Sequence, residues 1–292
     1  MLLAITAGGV AMEILDGHHH MSVIEGFAHS GYTAKGKRDN PDELEHRTRV
    51  AAMEASGIQR AIIGPAYQYL LPNGVADTAK INDRLAAFRD RDRSRFPFAI
   101  AACEPRQGDA ALEEISRCKR TLGMAGVMFH SRLQGCYVDS PWMRNCLRAI
   151  VDEGMIPFVH SHHGDQLEAP WRVERLAKEF PNTTFIILDG LAGYEETELF
   201  YDVVERTGNL AFDTGMWSGG ARKVSEVAKR IGHERLIFSS NLYSYPMGYK
   251  RSLMVEELTG SDLTDAQKRD VLALNLYRVL GQRPLGERRI RG

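Results

Sequence analysis

Short apolar runs without polar alternation recur along the chain, a pattern typical of strands buried on both faces of a parallel sheet. Between them lie longer segments in which apolar residues recur every three or four positions, as expected of amphipathic helices. The pattern predicts eight strands, at residues 13–16, 61–64, 98–103, 126–129, 156–160, 185–188, 210–213 and 236–238. Helices are predicted between nearly all of them, so we expect an α/β fold.

The boundaries between these elements support one repeated unit. Ser140-Pro141, for example, places a capping residue before a proline at the first helical position. Alternating strands and helices imply a parallel sheet with right-handed crossovers. Eight such units in 292 residues favour a single-domain (β/α)8 TIM barrel, with an open doubly wound sheet as the alternative. We expect the barrel at residues 13–281, an N-terminal extension at 1–12 and a loose tail at 282–292.

The composition limits the kinds of binding partner and the cellular compartment that we expect. The formal net charge is −1 and 26% of residues are charged, so nothing favours a nucleic acid or an anionic membrane as a partner. The four cysteines show no CxxC spacing and are expected to be reduced thiols of a cytoplasmic protein. No apolar run approaches the length that spans a bilayer, and no GxGxxG motif or P-loop follows the first strand.

Histidines gather at two predicted strand ends. Six of the ten histidines lie at residues 18–20 and 160–163. Alternation along the first strand would point His18 and His20 to one side, as a pincer suited to a divalent metal, with His19 pointing away. A solvated turn is the alternative. The carboxyl ends of barrel strands are where active sites form, so both clusters are expected at one mouth.

Other predicted strand ends carry groups suited to substrate binding. Arg132 with His130 could clamp a substrate carboxylate, because guanidinium presents a bidentate fork. An ion pair between Arg132 and a loop carboxylate is the alternative. Tyr67, Trp217 and Tyr243 could line a flat pocket for an aromatic substrate, although loop anchors are the commoner role of such residues.

The ordered set of motifs resembles the amidohydrolase superfamily, specifically its amidohydrolase-2 branch. That branch includes aminocarboxymuconate-semialdehyde-type decarboxylases and pyrone-dicarboxylate lactonases. The resemblance covers almost the whole chain and rests on the first-strand HHH and, in order, on MEASGIQRAIIGPA, RFPFAIAACEP, GMAGVMFHSR, IPFVHSHHG, FPNTTFIILDGLAG, GNLAFDTGMW and IGHERLIFSSNLYSYP.

The resemblance implies a set of metal ligands. His18 and His20 match the first two ligands of the family, and His160 matches the fifth-strand histidine, with His162 as a second candidate. Asp189 stands where the sixth strand usually carries a histidine. It could complete a site with His18, His20 and His160 around a divalent metal, and such a donor set suits zinc. Alternatively, Asp189 caps the next helix or pairs with Arg132, and no metal binds.

The eighth strand departs from the family pattern. It usually ends in Phe-Gly-Ser-Asp, and here the run is FSSN, ending at Asn241. In the family that aspartate binds the metal and holds the proton of the attacking water. An asparagine amide is a poor metal ligand and cannot act as a general base, so metal-assisted hydrolysis is disfavoured. Some members of the branch, including the lactonases, are thought to work without metal.

The expected function follows from the resemblance. We expect an enzyme, a hydrolase or lyase, acting on a small carboxylated cyclic or aromatic substrate by hydrolysis or non-oxidative decarboxylation. His160, His162 or Asp189 would move protons, with Asn241 at a catalytic position. The alternatives are a metal-free relative that catalyses a lyase or cyclase reaction in a biosynthetic pathway, and a non-catalytic binding barrel. Family resemblance also suggests a homodimer.

Overall fold

The structure is a computed structural model that describes residues 6–7, 10–21, 41–216, 220–243 and 252–284. Predictions on other residues lie outside these ranges. They include Trp217 as a substrate-binding residue and most of the tail predicted at 282–292.

Parallel strands alternate with helices along the described chain. The strands of the main sheet are β1 (Leu15–Met21), β2 (Arg60–Pro65), β3 (Phe98–Ala102), β4 (Gly126–Phe129), β5 (Ile156–His160), β6 (Phe185–Leu188), β7 (Leu210–Asp213), β8 (Leu236–Ile237) and β9 (Leu242–Tyr243). The helices between and after them are α1 (Pro41–Ala55), α2 (Val75–Arg91), α3 (Asp109–Arg120), α4 (Pro141–Asp152), α5 (Pro170–Glu179), α6 (Tyr194–Arg206), α7 (Gly220–Ile231), α8 (Met254–Thr259), α9 (Asp265–Arg269) and α10 (Asn275–Val279). None of the helices in the described ranges has the length and apolar character needed to cross a membrane.

The sheet curls until its first and last strands meet. Strands β1 to β8 pair in sequence order, each parallel to the next. The Gly17 amide of β1 donates to the Phe238 carbonyl just after β8 at 2.9 Å. Strand β9 then pairs with the other end of β1, with Leu242 opposite His19 and Tyr243 opposite His20. These contacts confirm the predicted (β/α)8 barrel.

The first strand differs from its predicted bounds. The prediction ended it at residue 16, with the histidines beyond it, whereas β1 runs from Leu15 to Met21 and contains all three. The pairing with β2 shifts register between Asp16 and His19. The Asp16 carboxylate accepts from the His18 amide at 3.1 Å inside this irregular stretch. Pairing on both sides therefore extends the strand through residues whose polarity resembles that of a loop. The strands predicted at 126–129, 156–160, 185–188 and 210–213 match β4 to β7.

A buried arginine holds the histidine strand against the first helix. Arg49 of α1 is fully buried and donates from Nη2 to the His20 carbonyl at 2.7 Å. It also donates from Nε and Nη2 to the Glu45 carboxylate at 3.0 and 2.7 Å, and its Nη1 lies 3.5 Å from the Leu242 carbonyl. One guanidinium thus connects α1, β1 and β9 behind the candidate site.

Replacing this guanidinium tests its structural role. Arg49→Met removes the cation that compensates the buried Glu45 charge, and breaking such a pair costs about 3–5 kcal/mol. We therefore expect a clear fall in the thermal unfolding temperature by calorimetry. The double variant Glu45→Gln/Arg49→Met removes both charges and should recover part of the loss. Equal melting of the wild type and the single variant would contradict the assigned role.

Candidate active site

Three imidazoles converge at the carboxyl ends of β1 and β5. His18, His20 and His160 are buried, and one ligand nitrogen from each lies within 4.8 Å of the others. The Nε2 atoms of His18 and His20 are 2.6 Å apart. The His160 ring centroid lies 5.4 Å from that of His18 and 5.6 Å from that of His20. The structure thus brings the sequence-predicted histidines of two distant strands to one point.

Backbone carbonyls fix the tautomers of two of these rings. His20 Nδ1 lies 2.5 Å from the Pro65 carbonyl oxygen, and His160 Nδ1 lies 2.9 Å from that of Phe129. A carbonyl oxygen only accepts, so each Nδ1 carries the proton. Burial is the main cause that holds the pKa of both rings well below the usual histidine value. Both are therefore neutral at pH 7, with a lone pair on Nε2.

A carboxylate fixes the third ring. His18 Nδ1 lies 2.7 Å from Asp213 Oδ2, and both side chains are fully buried. Burial alone would lower the pKa of His18, but the hydrogen bond and charge of Asp213 outweigh it, and the pKa is raised. Gly215 packs so closely here that an added Cβ would lie 2.6 Å from Asp213 Oδ2 and 3.1 Å from His18 Nδ1. The carboxylate–imidazole pair thus occupies space that a side chain at position 215 would take.

The inward nitrogens form a donor set that fits a divalent cation. Two imidazole nitrogens at 2.6 Å repel unless a proton or a cation lies between them. The Nε2 of His160 is buried and makes no hydrogen bond. Metal-binding histidines commonly donate their outer nitrogen to a carboxylate or carbonyl, which is the arrangement of all three rings here. The residues therefore fit a metal, which His18, His20 and His160 could hold.

Asp189 supplies a carboxyl beside this donor set. The ligand atoms of His18, Asp189 and Asp213 lie within 4.8 Å of one another. Burial raises the pKa of Asp189 to about 7, with opposing influences from the charges of His18 and Asp213. Its amide donates to Asp213 Oδ1 at 2.8 Å and its φ is +63°. Asp189 is thus a buried carboxyl with a raised pKa, next to His18.

Asn241 reaches the same carboxyl from the eighth strand end. Its Nδ2 donates to Asp189 Oδ1 at 3.3 Å, while its Oδ1 is buried without a hydrogen bond. Its φ of +50° is uncommon for a residue other than glycine. The amide therefore contacts Asp189 at the place where the family pattern puts a second carboxylate.

The Arg132 side chain pairs with a residue that the sequence did not single out. Arg132 Nε lies 3.1 Å from Glu168 Oε1, and His130 Nδ1 lies 3.4 Å from Glu168 Oε2. Glu168 is fully buried, although it lies in a loop whose sequence gives no pattern that would have identified it. This contact favours the alternative interpretation of Arg132 as the partner of a loop carboxylate. The Arg132 side chain nevertheless stays 34% exposed. No contact between Arg132 and Asp189 is found in the described structure.

His162 lies apart from the three converging histidines. Strand β5 ends at His160, so alternation does not extend to His162. The His162 Nε2 lies 3.3 Å from Glu196 Oε1, and His163 Nδ1 lies 3.2 Å from the same oxygen. Glu196 belongs to the first turn of α6. His162 therefore groups with His163 and Glu196 rather than with His18, His20 and His160, and its role at the site stays a prediction.

Aromatic rings wall the site. Tyr243 stacks on His20 with centroids 4.2 Å apart, and Tyr67 stacks on Tyr243 at 5.4 Å. On the other side, His130 stacks on His160 at 4.0 Å with an interplanar angle of 12°. The predicted Tyr67, Tyr243 and His130 are therefore all adjacent to the metal-ligating candidates. Flat rings at such a mouth suit a planar ligand.

Comparisons with known proteins point to one family. The family model described as Amidohydrolase matches residues 15–282. No curated protein sequence matches the chain. A solved structure of 2,6-dihydroxybenzoate decarboxylase bound to 2,6-dihydroxybenzoate is 19% identical, with 92% of this chain and 99% of that chain covered and a TM-score of 0.68.

Two further solved structures contain manganese. The 5-carboxyvanillate decarboxylase from Novosphingobium aromaticivorans, with manganese and 4-hydroxy-3-methoxy-5-nitrobenzoic acid, is 16% identical over 95% of this chain and 98% of that chain, with a TM-score of 0.68. A dihydroxybenzoic acid decarboxylase from a Polaromonas species, with manganese and 2-nitroresorcinol, is 16% identical over 92% and 97%, with a TM-score of 0.65. At these identities the likeness establishes the fold.

The Asp213–His18 contact predicts a metal-affinity effect. Asp213→Asn keeps the shape but removes the charge that holds the proton on His18 Nδ1. Loss of such an outer partner lowers metal affinity about 10- to 100-fold. Competition with a chromogenic chelator measures the change. Glu226→Gln makes the same charge change on the surface of α7 and should leave the affinity unaltered. An Asp213→Asn protein with wild-type affinity would contradict the proposed orientation of His18.

Proposed function

Because the chain belongs to the amidohydrolase family, we propose that it is an enzyme that decarboxylates a hydroxylated aromatic acid without an oxidant, aided by a divalent cation. The observation that carries the proposal is the convergence of one ligand nitrogen each from His18, His20 and His160, with the Asp189 carboxyl close to His18. Related folds that act on dihydroxybenzoate and carboxyvanillate support the choice of substrate class.

His18, His20 and His160 would hold the cation, and Asp189, which lies close to His18, would be the candidate carboxyl for a fourth position. When bound, the cation supplies positive charge that orients and polarises the oxygens of the substrate. The protein orients all three imidazoles before anything binds, through the Asp213 carboxylate for His18 and backbone carbonyls for His20 and His160. This preorganisation supports a site built for a metal rather than a solvated histidine cluster.

Arg132 and the tyrosines would position the substrate. The partly exposed guanidinium of Arg132 is held at the mouth by the buried Glu168, and it can receive a carboxylate through its remaining N–H groups. Tyr243 and Tyr67 form a flat wall next to His20 on which an aromatic ring can stack. Together they favour a planar, anionic molecule.

Asp189 is the proposed proton donor. Decarboxylation of an aromatic acid requires a proton on the ring carbon that bears the carboxylate. The bond to that carboxylate then breaks, its electron pair returns to the ring, and carbon dioxide leaves. The Asp189 carboxyl would give this proton and would then be reprotonated from solvent. His160 is a poor candidate because its Nδ1 proton is engaged by the Phe129 carbonyl.

Decarboxylation is favoured over hydrolysis by the residue at the eighth strand end. Hydrolysis needs a base to take a proton from water. Asn241 has an amide there, which cannot do so, and that amide donates to Asp189 instead. A donated hydrogen bond stabilises negative charge on Asp189 after it has released its proton. The Asn241 amide thus suits an acid that loses its proton during the reaction.

The identity of the metal and the oligomeric state stay proposals, and both can be tested on one protein sample. Three imidazoles and a carboxylate suit zinc by donor chemistry, whereas the related structures contain manganese. Elemental analysis of protein purified without chelator identifies the resident metal. Light scattering on the same sample tests the homodimer that the family resemblance suggested.

The proposed activity is tested with 2,6-dihydroxybenzoate. We expect metal-loaded protein to form resorcinol and carbon dioxide in equal amounts. His18→Ala should lose the metal and at least about 100-fold in kcat/KM, because its inward nitrogen is gone. His46→Gln, remote from the site, should retain both metal and activity.

The opposite outcome is equally specific. Suppose that the metal-loaded wild type decarboxylates neither 2,6-dihydroxybenzoate nor 5-carboxyvanillate, but hydrolyses an aromatic lactone. The decarboxylase proposal would then be wrong and the hydrolase alternative correct.

A further inference from the structure

A buried tyrosine hydroxyl beside the site has no partner. Tyr69 is 7% exposed and its hydroxyl oxygen makes no hydrogen bond. Leaving a buried hydroxyl unpaired is costly, and most buried polar groups in folded proteins are paired. A phenylalanine at position 69 would fill the same space without burying an unpaired hydroxyl. The presence of the hydroxyl therefore points to a ligand that supplies the missing hydrogen-bond partner.

The loop that carries Tyr69 is held in a strained conformation. The next residue, Leu70, has a φ of +54°, which is unfavourable for a residue with a branched side chain. Its amide donates to Glu104 Oε1 at 2.6 Å, and Glu104 is buried at the end of β3. Such strain persists where the surroundings enforce it, and it clusters at binding sites. Glu104 therefore fixes the position of the Tyr69 ring.

The Tyr69 ring faces the candidate active site. It meets His130 edge-on, with centroids 6.3 Å apart at 70°. His130 in turn stacks on the proposed metal ligand His160 at 4.0 Å. The His130 imidazole thus lies between Tyr69 and a proposed metal ligand, which puts the Tyr69 ring at the edge of the candidate site.

The charged groups around the Tyr69 hydroxyl favour an uncharged hydrogen-bond partner over an anionic one. Burial is the largest cause that raises the pKa of Tyr69 well above its usual value, and the nearby carboxylates of Glu104 and Glu168 raise it further. The hydroxyl therefore stays protonated and acts as a donor. The same two carboxylates repel an anion, whereas an uncharged oxygen acceptor incurs no such repulsion.

We propose that Tyr69 donates a hydrogen bond to an uncharged oxygen substituent on the ring of the substrate. It thereby selects aromatic acids with a ring hydroxyl or methoxy group beyond the one next to the metal. This specificity role rests on the proposed function and deepens it. Arg132 would bind the carboxylate and Tyr69 would bind the neutral oxygen, so the two residues recognise different parts of one substrate molecule.

Two unreactive ligands test the proposal without turnover. 2-Nitroresorcinol has two ring hydroxyls and 2-nitrophenol has one. Their dissociation constants are measured by calorimetry on metal-loaded wild type, Tyr69→Phe and Tyr137→Phe. We expect Tyr69→Phe to weaken 2-nitroresorcinol about tenfold, the value of one neutral hydrogen bond, and 2-nitrophenol less than twofold. Tyr137→Phe makes the same change at a tyrosine that is 47% exposed and should alter neither constant.

Each outcome has one meaning. Removing an unpartnered hydroxyl should leave the melting temperature of Tyr69→Phe unchanged or higher, so loss of fold is not expected to obscure the result. Equal weakening of both ligands, or of neither, would overturn the role of Tyr69 while the proposed function stands. If neither ligand binds the metal-loaded wild type, the substrate class of the proposed function fails, and the Tyr69 inference fails with it.

Discussion

The Nε2 atoms of His18 and His20 lie 2.6 Å apart, and the surroundings of the site are organised around that contact. Two neutral imidazoles would not approach so closely with lone pairs facing each other. The outer nitrogen of each ring is held by an acceptor, a carboxylate for His18 and a carbonyl for His20. The inner nitrogens therefore cannot relieve the repulsion by exchanging tautomers. A shared proton or a cation between the two inner nitrogens relieves it, and the Asp213 carboxylate favours positive charge on His18 by raising its pKa.

Backbone strain gathers near the same contact. Within the described ranges, the residues other than glycine with positive φ are Leu70, Asp189 and Asn241. Two of them place a carboxyl and an amide beside His18, and the third follows Tyr69. Strain of this kind requires rigid support. The closed barrel provides it, since β1 is hydrogen-bonded along both edges and tied to α1 by the buried Arg49.

The fold was predictable because buried parallel strands give uninterrupted apolar runs, as in β4 to β7. The histidine sites were predictable because strand alternation and the end of β5 place His18, His20 and His160 at one mouth. Contacts between residues distant in sequence were not predictable. Glu168 lies in a loop without periodicity, and its burial depends on Arg132 and His130 arriving from another strand end. The group that His162 forms with His163 and Glu196 was not predictable either, because strand alternation ends with the strand at His160. The extension of β1 beyond residue 16 depends on pairing with β2 on one edge and with β9, which is distant in sequence, on the other.

The charges around position 241 explain why an amide, and not a carboxylate, stands there. Asp189 and Asp213 already place two carboxyls within 4.8 Å of His18, and Asp213 is committed to the ring. A third carboxylate at position 241 would contact Asp189 directly, where Asn241 Nδ2 now lies 3.3 Å from its oxygen. Like charges at that distance would repel each other, and both would repel an anionic substrate. The amide relieves this repulsion and stabilises the negative charge of Asp189 once its proton is given up. A site with an amide here is better suited to deliver a proton to the ring carbon of a bound aromatic acid than to remove one from water.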